Sequence, residues 1–339
     1  MKRGGAFSRM ALAGVLILLL AAGAAGWFFF APSTSSPYSN PVVAHDAPDP
    51  SVMRDRDGYF YAYTTQTPWP ALEYMPVLKS ADLVHWTHEG DALPDLPRWA
   101  THDVWAPHVI RVSDGYVAYF SVRQYGSAGF AIGAAVSDSP TGPFVGQRKP
   151  LLTGPKFTTI DPFAMRAQDG ELYIYWGSNS APIRVQRLSP DGLSVVGEPV
   201  PVLEAYERGY EELVEGAWVL FRDGFYYLMY SGDACCEPDP HYAVMVARSK
   251  SPMGPFEKFE GNPILEANKR YLAPGHNATI RDDAGRDWIV YHAFVRTDIS
   301  ARRQLFIDPI DWENGWPVIN GGRGPATSQA APVVDPATP

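Results

Sequence analysis

DPSVMRDRDGYFYAYTT, residues 49–65, carries the plan of the chain: a short apolar strand, an Asp-Gly turn, and a second strand of alternating aromatics. The plan returns as APHVIRVSDGYVAYFSV from Ala106, DPFAMRAQDGELYIYWG from Asp161, EGAWVLFRDGFYYLMYSG from Glu215 and HNATIRDDAGRDWIVYHAF from His276. Asp-Gly between two such runs is a strong hairpin signal. The turn glycines are Gly58, Gly115, Gly170, Gly224 and Gly285, each nine positions after the first quoted residue. The starts fall 54 to 61 residues apart. A second hairpin follows each first one, as in VLKSADLVHW and IRVQRLSPDGLSV, and SDSPTGPF and SKSPMGPF nearly duplicate each other. Four strands per repeat make a propeller blade. The expected fold is therefore all-β, a five-bladed β-propeller over residues 41–324. A β-sandwich would leave the regular period unexplained.

The first strand of a blade lies nearest the axis, so five parallel first strands would deliver their starting residues to one mouth of the central channel. Those residues are Asp49, Ala106, Asp161, Glu215 and His276. A charged group beside an apolar core costs free energy unless it is paired, so a ring of acids calls for a reason. Asp-Pro also starts turns, which weakens Asp49 or Asp161 taken singly. Their shared place in the repeat strengthens the three together. Glycoside cleavage needs a carboxylic acid to protonate the departing oxygen and a carboxylate as base or nucleophile. A third carboxylate can hold the proton on the acid by charge repulsion. Loops after the second strands should form the rim, bringing Trp69, Arg123 with Tyr125, Asn179, Cys235 with Cys236, and Arg296. Trp105, Trp69, Phe163 and Arg296 are candidate sugar-binding residues. Arg302 and Arg303 have a weaker claim. His276 is a candidate ligand for a structural calcium or other ion, and no cofactor is required.

The other 55 residues and the composition set limits. The 339-residue chain has 32 prolines and 30 glycines, which suits turns and short strands, and its net charge of −9 with no basic run offers no nucleic-acid face. Ten tryptophans and 18 tyrosines suit stacking on sugar rings. Lys2, Arg3 and Arg9 precede an apolar run from Met10 to Ala31. That pattern reads as an uncleaved, transmembrane signal-anchor over 1–31, with a cleaved signal peptide as its rival. Either way the body is exported, and contact with a membrane is confined to that segment. Residues 32–40 read as a flexible linker and 325–339 as a Pro/Ala-rich tail. The two cysteines, Cys235 and Cys236, are adjacent, so the choice is a vicinal disulfide or two thiols. No nucleophile elbow, P-loop or zinc-protease motif is present.

Together DPSV at Asp49, WAPHV at Trp105, IDPF at Asp161, VEGAW at Glu215, GHNATI at His276 and the closing IDPIDWENGWP resemble glycoside hydrolase family 43. This is the family of arabinanases, arabinofuranosidases and β-xylosidases. The resemblance implies an inverting mechanism, with Asp49 matching the general base, Glu215 the general acid, and Asp161 the residue that tunes and orients the acid. His276 matches a histidine near an axial ion in arabinan-acting members, but Asn277 stands where a second histidine would be. The expected activity is cleavage of arabinofuranosyl linkages in a poly- or oligosaccharide by a monomeric enzyme. A β-xylosidase, another furanosidase such as a galactofuranosidase, a non-catalytic glycan-binding propeller and a protein-interaction propeller are the alternatives.

Overall fold

The computed structural model describes residues 37–206, 209–236 and 238–335. Five antiparallel sheets follow one another along the chain, each built from successive strands. Blade one is Ser51–Arg54, Phe60–Tyr63, Pro76–Ser80 and Trp86–Asp91. Blade two is Trp105–Val112, Gly115–Arg123 and Phe130–Ser137, edged by Val145–Gly146 and Leu152–Thr153. Blade three is Phe163–Arg166, Leu172–Trp176, Ile183–Leu188 and Val195–Leu203. Blade four is Val214–Arg222, Phe225–Ala234, His241–Ser249 and Glu257–Lys258. Blade five is Tyr271–Arg281, Asp287–Val295, Gln304–Glu313 and Trp316–Ile319. Each innermost strand packs on the next, and the fifth packs on the first, so the ring closes.

Repeated tyrosines tie the blades together. Tyr63, Tyr119, Tyr175 and Tyr227 are fully buried on second strands. Their hydroxyls donate to the carbonyls of Pro140, Gly192, Pro252 and Gly315, each in an outer turn of the next blade. Pro140 and Pro252 sit in the two near-duplicate segments, which accounts for their likeness. A buried hydroxyl needs a partner, so each clamp supplies one while fixing the spacing of neighbouring blades.

Pro37–Ser39 pairs with Ser328–Ala330, and the Asn40 side chain caps both the N–H and the carbonyl of Ile307. The expected linker and tail thus contribute ordered strands at these positions, because the chain ends satisfy backbone groups along blade five. The transmembrane expectation is corrected: among the described residues no helix is long and apolar enough to cross a membrane. The stretch 1–31 on which it was placed lies outside the described residues. Among the described residues helical structure is limited to three short 3₁₀ turns.

Candidate active site

Where the strands enter the mouth, a β-bulge recurs. Trp105 pairs with Ser121 and His108 with Tyr119, leaving Ala106 and Pro107 as the extra pair. The same break leaves Gly216–Ala217 in blade four and His276–Asn277 in blade five. The first residue of each of these three bulges has positive φ, Ala106 (44°), Gly216 (62°) and His276 (47°), and so do Asp49 (53°) and Asp161 (60°), each two residues before the first strand of its blade. Bulges re-aim side chains at barrel and blade rims. Here the positive-φ residues Asp49, Asp161 and His276 all present their side chains to one cavity.

This register corrects one detail of the repeat. Glu215 is not equivalent to Asp49 and Asp161; Gly216 is, and Glu215 stands one residue earlier, level with Trp105. Counting back from the turn glycine hides this offset. Arg222 and Phe225 close a two-residue turn, whereas Arg54 pairs with Phe60 across a longer one.

The backbone N–H groups at the bulges follow a second repeat. Ala106 N–H donates to Thr65 Oγ1, Asp161 N–H to Ser121 Oγ, His276 N–H to Ser231 Oγ, and Asp49 N–H to His292 Nδ1. Ser121, Ser231 and His292 sit late on the second strand of the preceding blade, and Thr65 lies two residues past the end of its own. Blade four breaks the pattern. Gly216 N–H donates to Asp161 Oδ2 at 3.1 Å, and Ser178, now free, donates to Glu215 Oε2 at 2.5 Å. The carboxyl of Asp161 is thereby fixed beside the residue that follows Glu215.

Asp49, Asp161 and Glu215 line one cavity of about 500 Å³, with Trp105, Phe157, Asn179, Cys235, Cys236, His276 and Arg303 on its walls. The three carboxyls are buried, yet their surroundings differ. Asp49 accepts from Arg303 Nη1 at 2.9 Å and from Thr65 Oγ1 at 2.5 Å. Burial pushes the Asp49 carboxyl up, but the Arg303 charge, the two nearby imidazoles and the Thr65 bond outweigh it and hold it well below the usual range. Burial keeps His276 and His292 below their ordinary values, so the standing positive charge at Asp49 is that of Arg303. Glu215 accepts from Tyr242 Oη at 2.7 Å as well as from Ser178. Burial still raises it, against the pull of those two donors. Burial and the neighbouring Glu215 and Asp49 charges push Asp161 well up. Two carboxyls sharing a site cannot both ionise readily, so a proton stays on the Asp161–Glu215 pair while Asp49 is bare.

His276 turns Nδ1 toward Asp49 Oδ1 (3.6 Å) and Asp161 Oδ2 (3.9 Å), separations a water can bridge. Asn277 adds one buried, unpartnered amide oxygen. Among the described residues no group of three or more His, Cys, Asp or Glu side chains could hold a metal ion. Calcium takes about six to eight oxygen ligands, waters among them, and no step below runs through an ion.

The other expected residues divide. Trp105 reaches the cavity, its ring parallel to Phe157 at 6.2 Å between centroids. Asn179 and the cysteines, joined as a disulfide, also reach it. Trp69 does not: it stacks between His45 (3.8 Å) and His88 (4.4 Å). Phe163 lies in the core against Trp218 (4.7 Å), since it is two residues past Asp161 and below the mouth. Arg296 is exposed and donates to the carbonyl of Asn268, outside the cavity. Tyr125 is 76% exposed. Arg123 serves indirectly, stacking over Phe130 (4.5 Å) and Phe157 (5.6 Å). Phe157, Thr65, Ser178, Tyr242 and His292 were not anticipated. Thr65, Ser178 and His292 fall 15 to 17 positions after their blade's start, as do Ser121 and Ser231, so the repeat held that signal.

Comparison with known proteins gives a consistent result. A probable arabinan endo-1,5-alpha-L-arabinosidase A of Aspergillus flavus is 29% identical over 83% of this chain and 94% of its own length. Extracellular endo-alpha-(1->5)-L-arabinanase 1 of Bacillus subtilis is 28% identical over 92% of this chain and 96% of its own. A crystal structure of a thermostable family-43 glycoside hydrolase superposes with a TM-score of 0.75 at 30% identity, covering 88% of this chain and all of that one. The sequence model of Glycosyl hydrolases family 43 matches residues 38–317, and the chain belongs to that family.

Proposed function

We propose that the chain is an exported, inverting glycoside hydrolase that cleaves α-L-arabinofuranosyl linkages in arabinan, with Asp49 as general base, Glu215 as general acid and Asp161 as the residue that orients and tunes the acid. The observation that carries the role assignment is the opposed electrostatics of one cavity: a carboxylate held ionised by Arg303, and a buried carboxyl pair that retains a proton. Pairs of titratable groups pushed apart by their environments mark base and acid.

In this reading the arabinosyl ring lies over the three acids beside Trp105 and Phe157. Asp49 removes a proton from a water as its oxygen attacks the anomeric carbon. The bond to the leaving oxygen breaks, and Glu215 gives that oxygen its proton. The new bond forms on the face opposite the old one, so configuration inverts. Asp161, held by Gly216 N–H, fixes the approach of the strand that carries Glu215. Tyr242 and Ser178 hold the acid's two oxygens. The substrate follows from the arabinan-named relatives, which cover most of the chain. Export accords with the relatives named extracellular and with a disulfide, a bond favoured in oxidising compartments.

The test is turnover of linear arabinan and p-nitrophenyl α-L-arabinofuranoside against a panel of xylosides and galactofuranosides. Preference for the arabinosides supports the reading. Turnover of xylosides alone would overturn the substrate, and sugar binding without turnover, unchanged in Asp49→Asn, would overturn the chemistry.

A further inference from the structure

The disulfide between Cys235 and Cys236 is unused by the chemistry above, yet it forms part of the cavity wall. It follows the second strand of blade four, two blades round the ring from Trp105. Both residues are only partly buried. Cys235 packs against an apolar cluster of Tyr242, Ala273 and Phe294, and Tyr242 is the donor to Glu215 Oε1. Cys236 lines the catalytic cavity and also an adjoining one of about 210 Å³ shared with Asp46, Phe294, Arg302 and Arg303. The bond therefore stands between the donor to the acid and the cation of the base, at the opening from one cavity into the next.

Sulfur is polarisable and only a weak hydrogen-bonding partner. Joining adjacent residues closes a small covalent ring, which fixes the sulfurs in place. A wall of this kind offers an apolar face to the C–H groups of a sugar, while the acids and Arg303 meet its hydroxyls. We propose that the Cys235–Cys236 disulfide is a specificity-determining wall of the sugar site, packing against the substrate at the junction of the two cavities. This rests on the arabinoside reading of the same cavity. Reduction by a dithiol such as dithiothreitol breaks the S–S bond, places a proton and an electron on each sulfur, and leaves the reagent as its cyclic disulfide. The two freed thiols are no longer held as one face, and substrate binding weakens.

The experiment measures kcat and KM on p-nitrophenyl α-L-arabinofuranoside and on arabino-oligosaccharides. It compares oxidised enzyme, enzyme reduced by dithiothreitol with its thiols counted, and the double variants Cys235→Ala with Cys236→Ala and Cys235→Ser with Cys236→Ser. The expected result is a KM raised about 3- to 10-fold on reduction, the size of one lost apolar contact, with kcat within about twofold. The serine pair should raise KM more than the alanine pair, since both open the ring but only serine makes the wall polar. A KM unchanged by verified reduction, equal KM values for the two pairs, or a fall in kcat alone would overturn the proposal and leave the arabinoside reading standing. Absence of turnover in the oxidised enzyme would overturn both.

Discussion

Removing the cation at Asp49 should move the acid limb of the pH–rate profile. Arg303→Met keeps an apolar stem and deletes the guanidinium that donates to Asp49 Oδ1 at 2.9 Å. At that distance an effective dielectric near 20 gives about 6 kcal/mol of attraction. Desolvation of the guanidinium takes back a large share, and an opposite charge at such range lowers a carboxyl by about 1–3 pH units. Burial, the largest single influence on Asp49, then meets less opposition, and burial favours the protonated form. A protonated Asp49 cannot accept a proton from water, so the fraction of active base falls as pH falls through the new, higher value. The acid limb of kcat/KM should therefore rise by about 1–3 pH units. Thr65→Val removes only a hydrogen bond and should move it less. The assay is kcat/KM on an aryl arabinofuranoside from about pH 2.5 to about pH 9, so that the low acid limb of the wild type falls within reach of the scan, with circular dichroism at each end to establish folding. A folded Arg303→Met enzyme whose acid limb stays put, or moves down, would refute the assignment of Asp49 as the base held ionised by Arg303.

Glu215→Gln should lower kcat on arabinan by about 100- to 10,000-fold, the usual worth of a general acid, and by far less on aryl glycosides whose leaving group needs no proton; equal losses on both would count against the role. Trp105→Ala removes a wall of the cavity and should raise KM about tenfold while unfolding at nearly the wild-type temperature; a normal KM would place the sugar elsewhere. Burial pushes Asp308 up to about 7 even though it accepts from Tyr291 Oη and Ala326 N–H. The folded state thus holds a proton that the unfolded state loses, so stability falls as pH rises from about 4 to about 7 and is then level, a change on the order of 4 kcal/mol. Melting curves of Asp308→Asn at pH 5 and pH 8 should show a smaller difference than wild type; an unchanged difference would remove Asp308 as its source.

The ring of blades was legible because Asp-Gly turns and apolar alternation obey local rules that the repeat multiplies by five. Asp49 and Asp161 were legible because their Asp-Pro pairs occupy the same place, just before the first strand of a blade. The one-residue offset of Glu215 was not, since a two-residue hairpin and a longer one place the same glycine differently against the pairing register. Trp69 and Arg296 went astray for another reason. Loop side chains point where local packing sends them, and His45 with His88 offers the Trp69 ring a stacked slot away from the mouth. Arg303 reaches Asp49 from a point 254 residues along the chain, at a position with no counterpart in the other blades. Phe157 lies between blades two and three, held by Trp105, Phe130 and Arg123, again without a repeated signal.

The proposed pairing of Asp49 as base with Glu215 as acid across one sugar has a stereochemical consequence that proton NMR reads directly. Hydrolysis of an α-L-arabinofuranoside followed within the first minutes, before mutarotation, should release β-configured arabinose. First-formed product in the α configuration would mean that a carboxylate attacks the sugar itself, and would contradict a base that acts through water.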